Sequence, residues 1–341
     1  MPGSLVGGGT TSAAWGHIVV IEVFRALIGL VLLTVAADHL VLGSSRLARW
    51  LRVSPIVVGV VVIGLGTSAP EFLVSGLAAA RGDNGIAVGN IVGSNIVNLT
   101  LLLGIAAIVA PIPLASAVIR REAPLAIAAI GLFGLLAVVV GLHGWTAAVL
   151  ATAGVAALWL LVKWARAGRA EAVLAVEVDA FLATEGDAGP QRSSRRRAWV
   201  EPVRAALGLL GVLAGAQLLV GGASAIAESV GVPQVVIGST LVALGTSLPE
   251  LVASVQAQRR GESELVVGNL FGSNLFNSLV GGAVIGFAGH RTAYAGTALV
   301  LTMVLTAGLA WALLRRGLRL TRPEGVLLVV VYALIAPLVL A

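Results

Sequence analysis

Apolar runs of about 18 or more residues recur along nearly the whole chain, and few folds can accommodate them. Each run is long enough to cross the hydrocarbon core of a bilayer as an α-helix. Of the 341 residues, 58% are hydrophobic and 11% are charged, whereas soluble domains are about half apolar and a quarter charged. Because the runs do not alternate apolar and polar residues as barrel strands do, the sequence predicts an all-α polytopic membrane protein.

The apolar runs divide into ten predicted transmembrane spans, in two groups of five. Their predicted bounds are 18–44, 55–80, 85–110, 122–142, 145–167, 202–227, 233–258, 265–288, 293–314 and 323–340. One long polar segment separates the fifth span from the sixth. We therefore predict four parts: a disordered N-terminal tail at 1–17, a first five-span repeat at 18–169, a cytoplasmic linker loop at 170–200 and a second five-span repeat at 201–341.

Basic residues lie on one side of the predicted spans. With the N-terminus outside the cell, 19 of the 22 Lys and Arg residues fall on the cytoplasmic side, and only Arg25, Arg81 and Arg291 fall on the other. This distribution follows the positive-inside rule. It predicts a multi-pass protein of the plasma membrane with both termini outside, and it accounts for the net charge of +6 without a nucleic-acid partner.

One six-residue motif occurs twice inside these apolar segments, as Gly-Thr-Ser-Ala-Pro-Glu ending at Glu71 and as Gly-Thr-Ser-Leu-Pro-Glu ending at Glu250. The offset of 179 residues between them aligns further matches without a gap. These include Val-Gly-Asn, ending at Asn90 and Asn269, and Gly-Ser-Asn, ending at Asn95 and Asn274. Because each unit holds an odd number of spans, the second unit enters the membrane in the opposite sense, which predicts an inverted-topology repeat.

The motif is expected to interrupt a membrane-spanning helix. Proline suits the first turn of a helix and Ser or Thr suits the cap before it, so Pro70 and Pro249 predict two half-helices that meet within the bilayer. The break frees backbone carbonyls near Gly64 and near Ala243, and carbonyls at a helix C-terminus attract cations. A carboxylate at this depth is costly, which marks each motif as a candidate functional site.

The side chains around both breaks form a predicted cation site at the interface of the two repeats. Thr67 and Glu71 are four residues apart, as are Ser94 and Asn98 in the next span, so each pair can share a helix face. The predicted ligands are Glu71, Glu250, Thr67, Thr246, Ser68, Ser247, Ser94, Ser273, Asn98 and Asn277, with the carbonyls of Gly64 and Ala243. All are hard oxygen ligands, which suit Ca²⁺ and Na⁺ and not zinc or copper.

Each of these features also has a purely structural interpretation. Ser, Thr and Asn in a span can simply hold helices together, a Gly-Pro break can be only a kink, and a lone Glu can be protonated. The occurrence of the whole set twice, at one offset, favours a cation site. The chain has no cysteine and only four scattered histidines, so we predict no disulfide, no transition-metal centre and no cofactor.

The paired motifs, Gly-Thr-Ser-x-Pro-Glu followed by Gly-Ser-Asn-x-x-Asn, resemble the repeats of the cation/Ca²⁺ exchanger superfamily, specifically the prokaryotic sodium/calcium exchangers. The resemblance covers essentially the whole chain. It implies that Glu71 and Glu250 bind Ca²⁺ together and share in Na⁺ binding. It implies Na⁺ ligation by Thr67, Ser68, Ser94, Thr246, Ser247 and Ser273, with the carbonyls of Gly64 and Ala243. Some relatives have an aspartate where this chain has Asn277, so charge compensation by two fixed acids limits how many cations are held at once.

Residues and resemblance together predict a secondary antiporter, and not an enzyme, that exchanges Ca²⁺ for Na⁺ across the lipid bilayer by alternating access. A Ca²⁺/H⁺ or other cation/H⁺ antiporter is the alternative within this class. Related Ca²⁺/H⁺ antiporters usually lack the Thr-Ser pair, which favours Na⁺. A cation channel could use the same oxygens but does not require two inverted broken helices. No oligomeric state is predicted.

Overall fold

The computed structural model describes residues 9–113, 121–182, 199–232 and 243–340, and nearly all of them are helical. We number the helices in chain order and count π-helical turns as part of the helix that contains them. The helices are α1 (Gly9–Leu51), α2 (Pro55–Thr67), α3 (Ala69–Arg81), α4 (Asn84–Val109), α5 (Glu122–Val140), α6 (Gly144–Leu182), α7 (Val200–Ser229), α8 (Ala243–Thr246), α9 (Leu248–Arg259), α10 (Ser263–Ala288), α11 (Thr297–Gly317) and α12 (Arg322–Leu340). Two short strands, β1 (Ile112–Pro113) and β2 (Arg319–Leu320), pair antiparallel.

Among the described residues, seven helices are long and apolar enough to cross a membrane, and α2 with α3 gives an eighth crossing if the pair counts as one broken span. The seven are α1, α4, α5, α6, α7, α10 and α11. The polytopic helical architecture that the apolar runs predict is therefore present. The count of ten stays a prediction, because part of the predicted seventh span, 233–258, lies outside the described residues.

Two helices extend beyond their predicted bounds. α1 begins at Gly9 and so includes residues 9–17 of the predicted tail, since no proline interrupts the chain between Gly9 and Leu51. α6 runs for 39 residues to Leu182, into the predicted linker at 170–200, where an alanine-rich sequence sustains the helix. Residues 1–8 and 183–198, which complete the predicted tail and most of the remaining linker, lie outside the described residues.

Both motifs break their helices as the sequence predicts. α2 and α3 are bent by 41° across Ser68, whose backbone leaves helical geometry at φ −78° and ψ 2°. Ser247 takes nearly the same conformation, φ −92° and ψ 5°, between α8 and α9. Pro70 and Pro249 are each the second residue of the helix that follows. The predicted capping by side chains is wrong, because neither serine makes a cap hydrogen bond within its own helix.

α4 and α10 form the buried centre of the molecule. Of the most apolar stretch in each, 78% and 83% of the residues are buried, against 17% in α1 and 28% in α7. Each central helix contains a π-helical turn, Asn98–Leu102 in α4 and Asn277–Gly281 in α10. Such turns are frequent at functional sites. Both begin at a predicted ligand, and no sequence pattern predicts them.

Glycines bring the broken helix α2 against α10. A Cβ atom at Gly268 would lie 2.5 Å from the carbonyl oxygen of Ile56, and one at Gly64 would lie 2.9 Å from the backbone nitrogen of Ser273. Any side chain at either position would force the two backbones apart. This close approach places the end of α2 beside Ser273, one of the predicted ligands.

The two long helices α1 and α7 pack on each other in the same way, outside the centre. A Cβ atom at Gly29 would lie 2.4 Å from the backbone nitrogen of Leu219, and one at Gly208 would lie 2.5 Å from that of Leu40. The two contacts are reciprocal, because both residues of one are 179 positions from those of the other. Backbone therefore lies directly against backbone along this pair.

Candidate cation site

Two carboxylates lie at the centre of the molecule, in the first turns of α3 and α9. Glu71 and Glu250 have no exposed surface. Each follows a break in its helix, so its position is fixed by the proline before it and by the non-helical serine before that. A buried carboxylate in a membrane-spanning segment requires hydrogen-bond donors or a cation to offset its desolvation.

Hydrogen bonds cross between the two motifs and bring the carboxylates to one place. The Ser68 hydroxyl donates to Glu250 Oε1 at 3.2 Å, and the Ser247 hydroxyl donates to Glu71 Oε1 at 3.3 Å. Thr246 also interacts with Glu71 through its side chain. Each acid is therefore held by hydroxyls from the other half of the chain.

Ser273 links this cluster to the backbone carbonyl of Gly64. The sequence predicted that the helix break frees this carbonyl, but it still accepts a helical hydrogen bond from the Ser68 N–H at 3.3 Å. The Ser273 hydroxyl lies 3.3 Å from Glu250 Oε1 and 3.1 Å from the carbonyl oxygen of Gly64. The predicted ligand carbonyl of Gly64 thus lies beside the acids. Its counterpart Ala243 is the first residue of α8, and Ser94 is buried on α4 one turn before Asn98.

Thr67 is buried, and its hydroxyl is 2.9 Å from the carbonyl oxygen of Ile63 and 3.3 Å from Asn269 Oδ1. The sequence predicted that its hydroxyl and Glu71 would converge on one site. The structure places the Thr67 side chain within hydrogen-bonding reach of Glu250, the acid of the other half, which lies in the same cluster as Glu71.

Several buried oxygens of the site have no hydrogen-bond partner in the part of the chain that the structure describes. They are Oε2 of Glu71, Oε2 of Glu250, Oδ1 of Asn98 and Oδ1 of Asn277. A buried acceptor without a donor costs about 1–3 kcal/mol, so four of them in one predicted site require an explanation. A cation would supply it, because carboxylate and amide oxygens are the ligands of Ca²⁺ and Na⁺.

Two asparagines that were not predicted as site residues hold the broken helices in place. Asn90 Nδ2 donates to the backbone oxygen of Glu71 at 3.3 Å and to the Ser75 hydroxyl at 3.0 Å. Asn269 Nδ2 makes the equivalent bonds to the backbone oxygen of Glu250, at 3.1 Å, and to the Ser254 hydroxyl, at 2.9 Å. The signal for both was in the sequence, because the two sets of residues match at the 179-residue offset.

The sequence is similar to those of known exchangers and antiporters. The family model for sodium/calcium exchanger proteins matches residues 22–166 and 201–341. A putative antiporter, CaxA, of Alkalimonas amylolytica is 38% identical over 311 residues, which cover 90% of this chain and 94% of that protein. The sodium/calcium exchanger MaX1 of Methanosarcina acetivorans is 28% identical, over 90% of this chain and 95% of its own length.

The fold is also similar to that of a solved exchanger structure. A structure of the sodium-calcium exchanger NCX_Mj superposes with a TM-score of 0.80 at 30% sequence identity. The match covers 94% of this chain and 99% of the other. The similarity therefore extends over nearly the whole chain.

Proposed function

Because this chain belongs to the sodium/calcium exchanger family, we propose that it is a secondary antiporter of the plasma membrane that exchanges Ca²⁺ for Na⁺ by alternating access. The observation that carries the proposal is the crossed pair of hydrogen bonds, Ser68 to Glu250 and Ser247 to Glu71. They join the acids of both halves in one buried site, as a single shared cation requires.

We place this site between two inverted repeats in a ten-span protein with both termini outside. The central helices support the repeat, since α4 begins, enters its π-helical turn and ends at Asn84, Asn98 and Val109, and α10 does so at the positions 179 residues later. The one-sided distribution of basic residues supports the orientation. Inverted repeats place their substrate near the membrane midplane, on interrupted helices, and both acids lie on helices that follow such an interruption.

In the proposed mechanism Ca²⁺ binds between the carboxylates of Glu71 and Glu250, with oxygens of Asn98, Asn277 and neighbouring residues completing its coordination. Na⁺ binds to the same acids, assisted by hydroxyls and backbone carbonyls. The Na⁺ ligands would be Thr67, Ser68, Ser94, Thr246, Ser247 and Ser273, with the carbonyls of Gly64 and Ala243. Because both cargoes need the same carboxylates, they exclude each other. Either load neutralises charge that would be costly to carry through a closed, dry state.

Access to the site is proposed to alternate when α1 and α7 move together across the rest of the molecule. Their reciprocal glycine contacts at Gly29 and Gly208 make them one packed unit. Their largely exposed apolar surfaces leave them fewer contacts to break than the central helices have. Ion gradients drive the movement. The protein binds and releases ions and makes or breaks no covalent bond.

Calcium uptake into proteoliposomes that hold the purified protein tests the proposal. We expect uptake when Na⁺ is imposed inside, loss of uptake when Na⁺ is replaced by K⁺, and no uptake by Glu71→Gln or Glu250→Gln. Rates equal to wild type in either variant would contradict the shared site.

The same preparation separates the alternatives. Uptake driven by a pH gradient with no Na⁺ would identify a Ca²⁺/H⁺ antiporter. Calcium flux that needs no counter-ion would identify a channel. Either result would replace the proposed Na⁺ coupling, while the Glu→Gln variants would still report on the site.

A further inference from the structure

Two asparagines of α4 and one of α10 form a hydrogen-bonded chain where the central helices meet. Asn274 Nδ2 donates to the backbone oxygen of Asn95 at 2.9 Å. Asn98 Nδ2 donates to Asn274 Oδ1, also at 2.9 Å. All three residues are at least 99% buried, so water does not compete for these bonds.

These two hydrogen bonds fix the orientation of the Asn98 amide. A backbone carbonyl can only accept, so the amide nitrogen of Asn274 must face Asn95 and the amide oxygen of Asn274 must face Asn98. Asn98 therefore turns its nitrogen toward Asn274 and its oxygen away. That oxygen is one of the buried acceptors that lack a partner in the described structure. Turning the amide around would bring two oxygens together and break the bond.

The equivalent position in the other half is not held in this way. At the 179-residue offset, Asn277 corresponds to Asn98, and Asn95 corresponds to Asn274. The Asn95 side chain, however, directs its nitrogen to the Ser278 hydroxyl, at 3.0 Å. Neither Oδ1 nor Nδ2 of Asn277 has a hydrogen-bond partner among the described residues. The two halves are thus matched in residue type and unmatched in bonding.

We propose that Asn274 is a positioning residue that holds the Asn98 amide with its oxygen toward the cation, while the Asn277 amide is left free to rotate. This inference rests on the proposed cation site. A ligand fixed before binding loses no rotational freedom when the ion arrives, so Asn98 is a preorganised ligand and Asn277 an adaptable one. The pseudo-symmetric site therefore binds its cation asymmetrically.

The two asparagines at equivalent positions give a matched pair of variants. Asn274→Ala removes the acceptor that orients Asn98. Asn95→Ala removes a buried asparagine of the same type but keeps the backbone carbonyl that orients Asn274. We expect Asn274→Ala to raise the half-saturating Ca²⁺ concentration about three- to tenfold, the worth of one neutral hydrogen bond, with a smaller change in maximal rate. Asn95→Ala should change it by less than about twofold, because the bonds that it loses, to the Ser278 hydroxyl and the Met303 sulfur, lie outside the site.

A second substitution separates orientation from packing. Asn98→Asp places an oxygen at both ends of the side chain, so it has no orientation to fix. In the Asn98→Asp background a carboxylate oxygen faces the Asn274 amide oxygen, so adding Asn274→Ala removes a repulsion and not a hydrogen bond. The half-saturating Ca²⁺ concentration should then not rise above that of the single variant. A purely structural role for Asn274 predicts the same loss in both backgrounds. If Asn274→Ala does not fold, Asn274→Ser replaces it, since its short hydroxyl cannot span both bonds.

Calcium uptake by the wild-type protein in the same vesicles separates failure of this inference from failure of the proposed function. If wild-type uptake occurs and the Asn274 variant matches Asn95→Ala, the positioning role is overturned. If the Asn274 effect persists undiminished in the Asn98→Asp background, it is overturned as well. Absence of Na⁺-driven uptake by the wild type would remove the proposed function and this inference together.

Discussion

At the scale of single residues, the site depends on bonds between side chains far apart in the sequence. The repeated motif was enough to predict the acids and the hydroxyls as ligands. It could not show that each serine would serve the carboxylate of the other half. That pairing depends on how two segments about 180 residues apart pack together, and no local pattern records it. The bonds from Asn90 and Asn269 to the backbone of the acids are different, because each lies within one half, 19 residues apart, and the repeated residues carried a signal for them.

The crossed serines give a prediction at this scale. Ser68→Ala and Ser247→Ala each remove one hydroxyl donor to a carboxylate, and a bond of this kind contributes about 1.5–3 kcal/mol. We expect each variant to raise the half-saturating Ca²⁺ concentration at least about tenfold, by similar factors. Uptake by proteoliposomes over a range of Ca²⁺ concentrations measures this.

Ser44→Ala is the matched control for these variants. Ser44 is as fully buried as Ser68, but it lies on α1 and its hydroxyl has no partner within the described ranges. We expect its removal to leave the Ca²⁺ dependence unchanged. Serine variants of the motif that behave like this control would refute the crossed arrangement.

At the scale of whole elements, the sequence predicted both helix breaks and the central helices well. Proline at the second helical position and an apolar run of sufficient length are local signals, and the structure follows them. The π-helical turns at Asn98 and Asn277 carry no such signal, because an extra residue in a turn is selected by packing around it. No local sequence pattern predicted the contact between α1 and the residue that follows α9 either.

That contact is an ion pair between α1 and the rest of the molecule. Arg260, directly after α9, binds Asp38 of α1 through Nε at 2.7 Å and through Nη2 at 2.6 Å. At the equivalent position of the other half, Arg81 corresponds to Arg260, but Asp38 is replaced by Gln217. An ion pair therefore joins α1 to the residue after α9, whereas α7 has no acid at the equivalent position.

Reversing the charges tests whether this ion pair controls movement. We expect Asp38→Arg and Arg260→Asp each to lower the Na⁺-driven uptake rate several-fold, because like charges then meet between α1 and α9. The double variant should recover most of the wild-type rate, since the pair is restored in reverse. Arg81→Asp serves as the control and should retain activity. A double variant no faster than either single variant would show that the pair does not act as a unit.

At the scale of the whole molecule, the fold and its family could be predicted from repeats, spans and motifs. The proposed inverted orientation of the halves has a direct consequence. Asp83 and Glu262 occupy equivalent positions in the two halves, at the start of α4 and of α10. If the repeats are inverted, these positions lie on opposite sides of the membrane.

Cysteine labelling tests the inversion, and the chain contains no native cysteine to interfere. In intact cells, we expect a membrane-impermeant maleimide to label Asp83→Cys and not Glu262→Cys. Both should react after permeabilisation. Labelling of both variants, or of neither, in intact cells would contradict the inverted repeat and the proposed orientation.

The central claim is that acids from both halves hold one cation. Anomalous diffraction from crystals of the protein soaked in Ca²⁺ measures this directly. We predict one peak, with carboxylate oxygens of both Glu71 and Glu250 at about 2.3–2.6 Å from the ion. A calcium ion bound by only one of these acids, or two separate ions each held by one acid, would contradict the account.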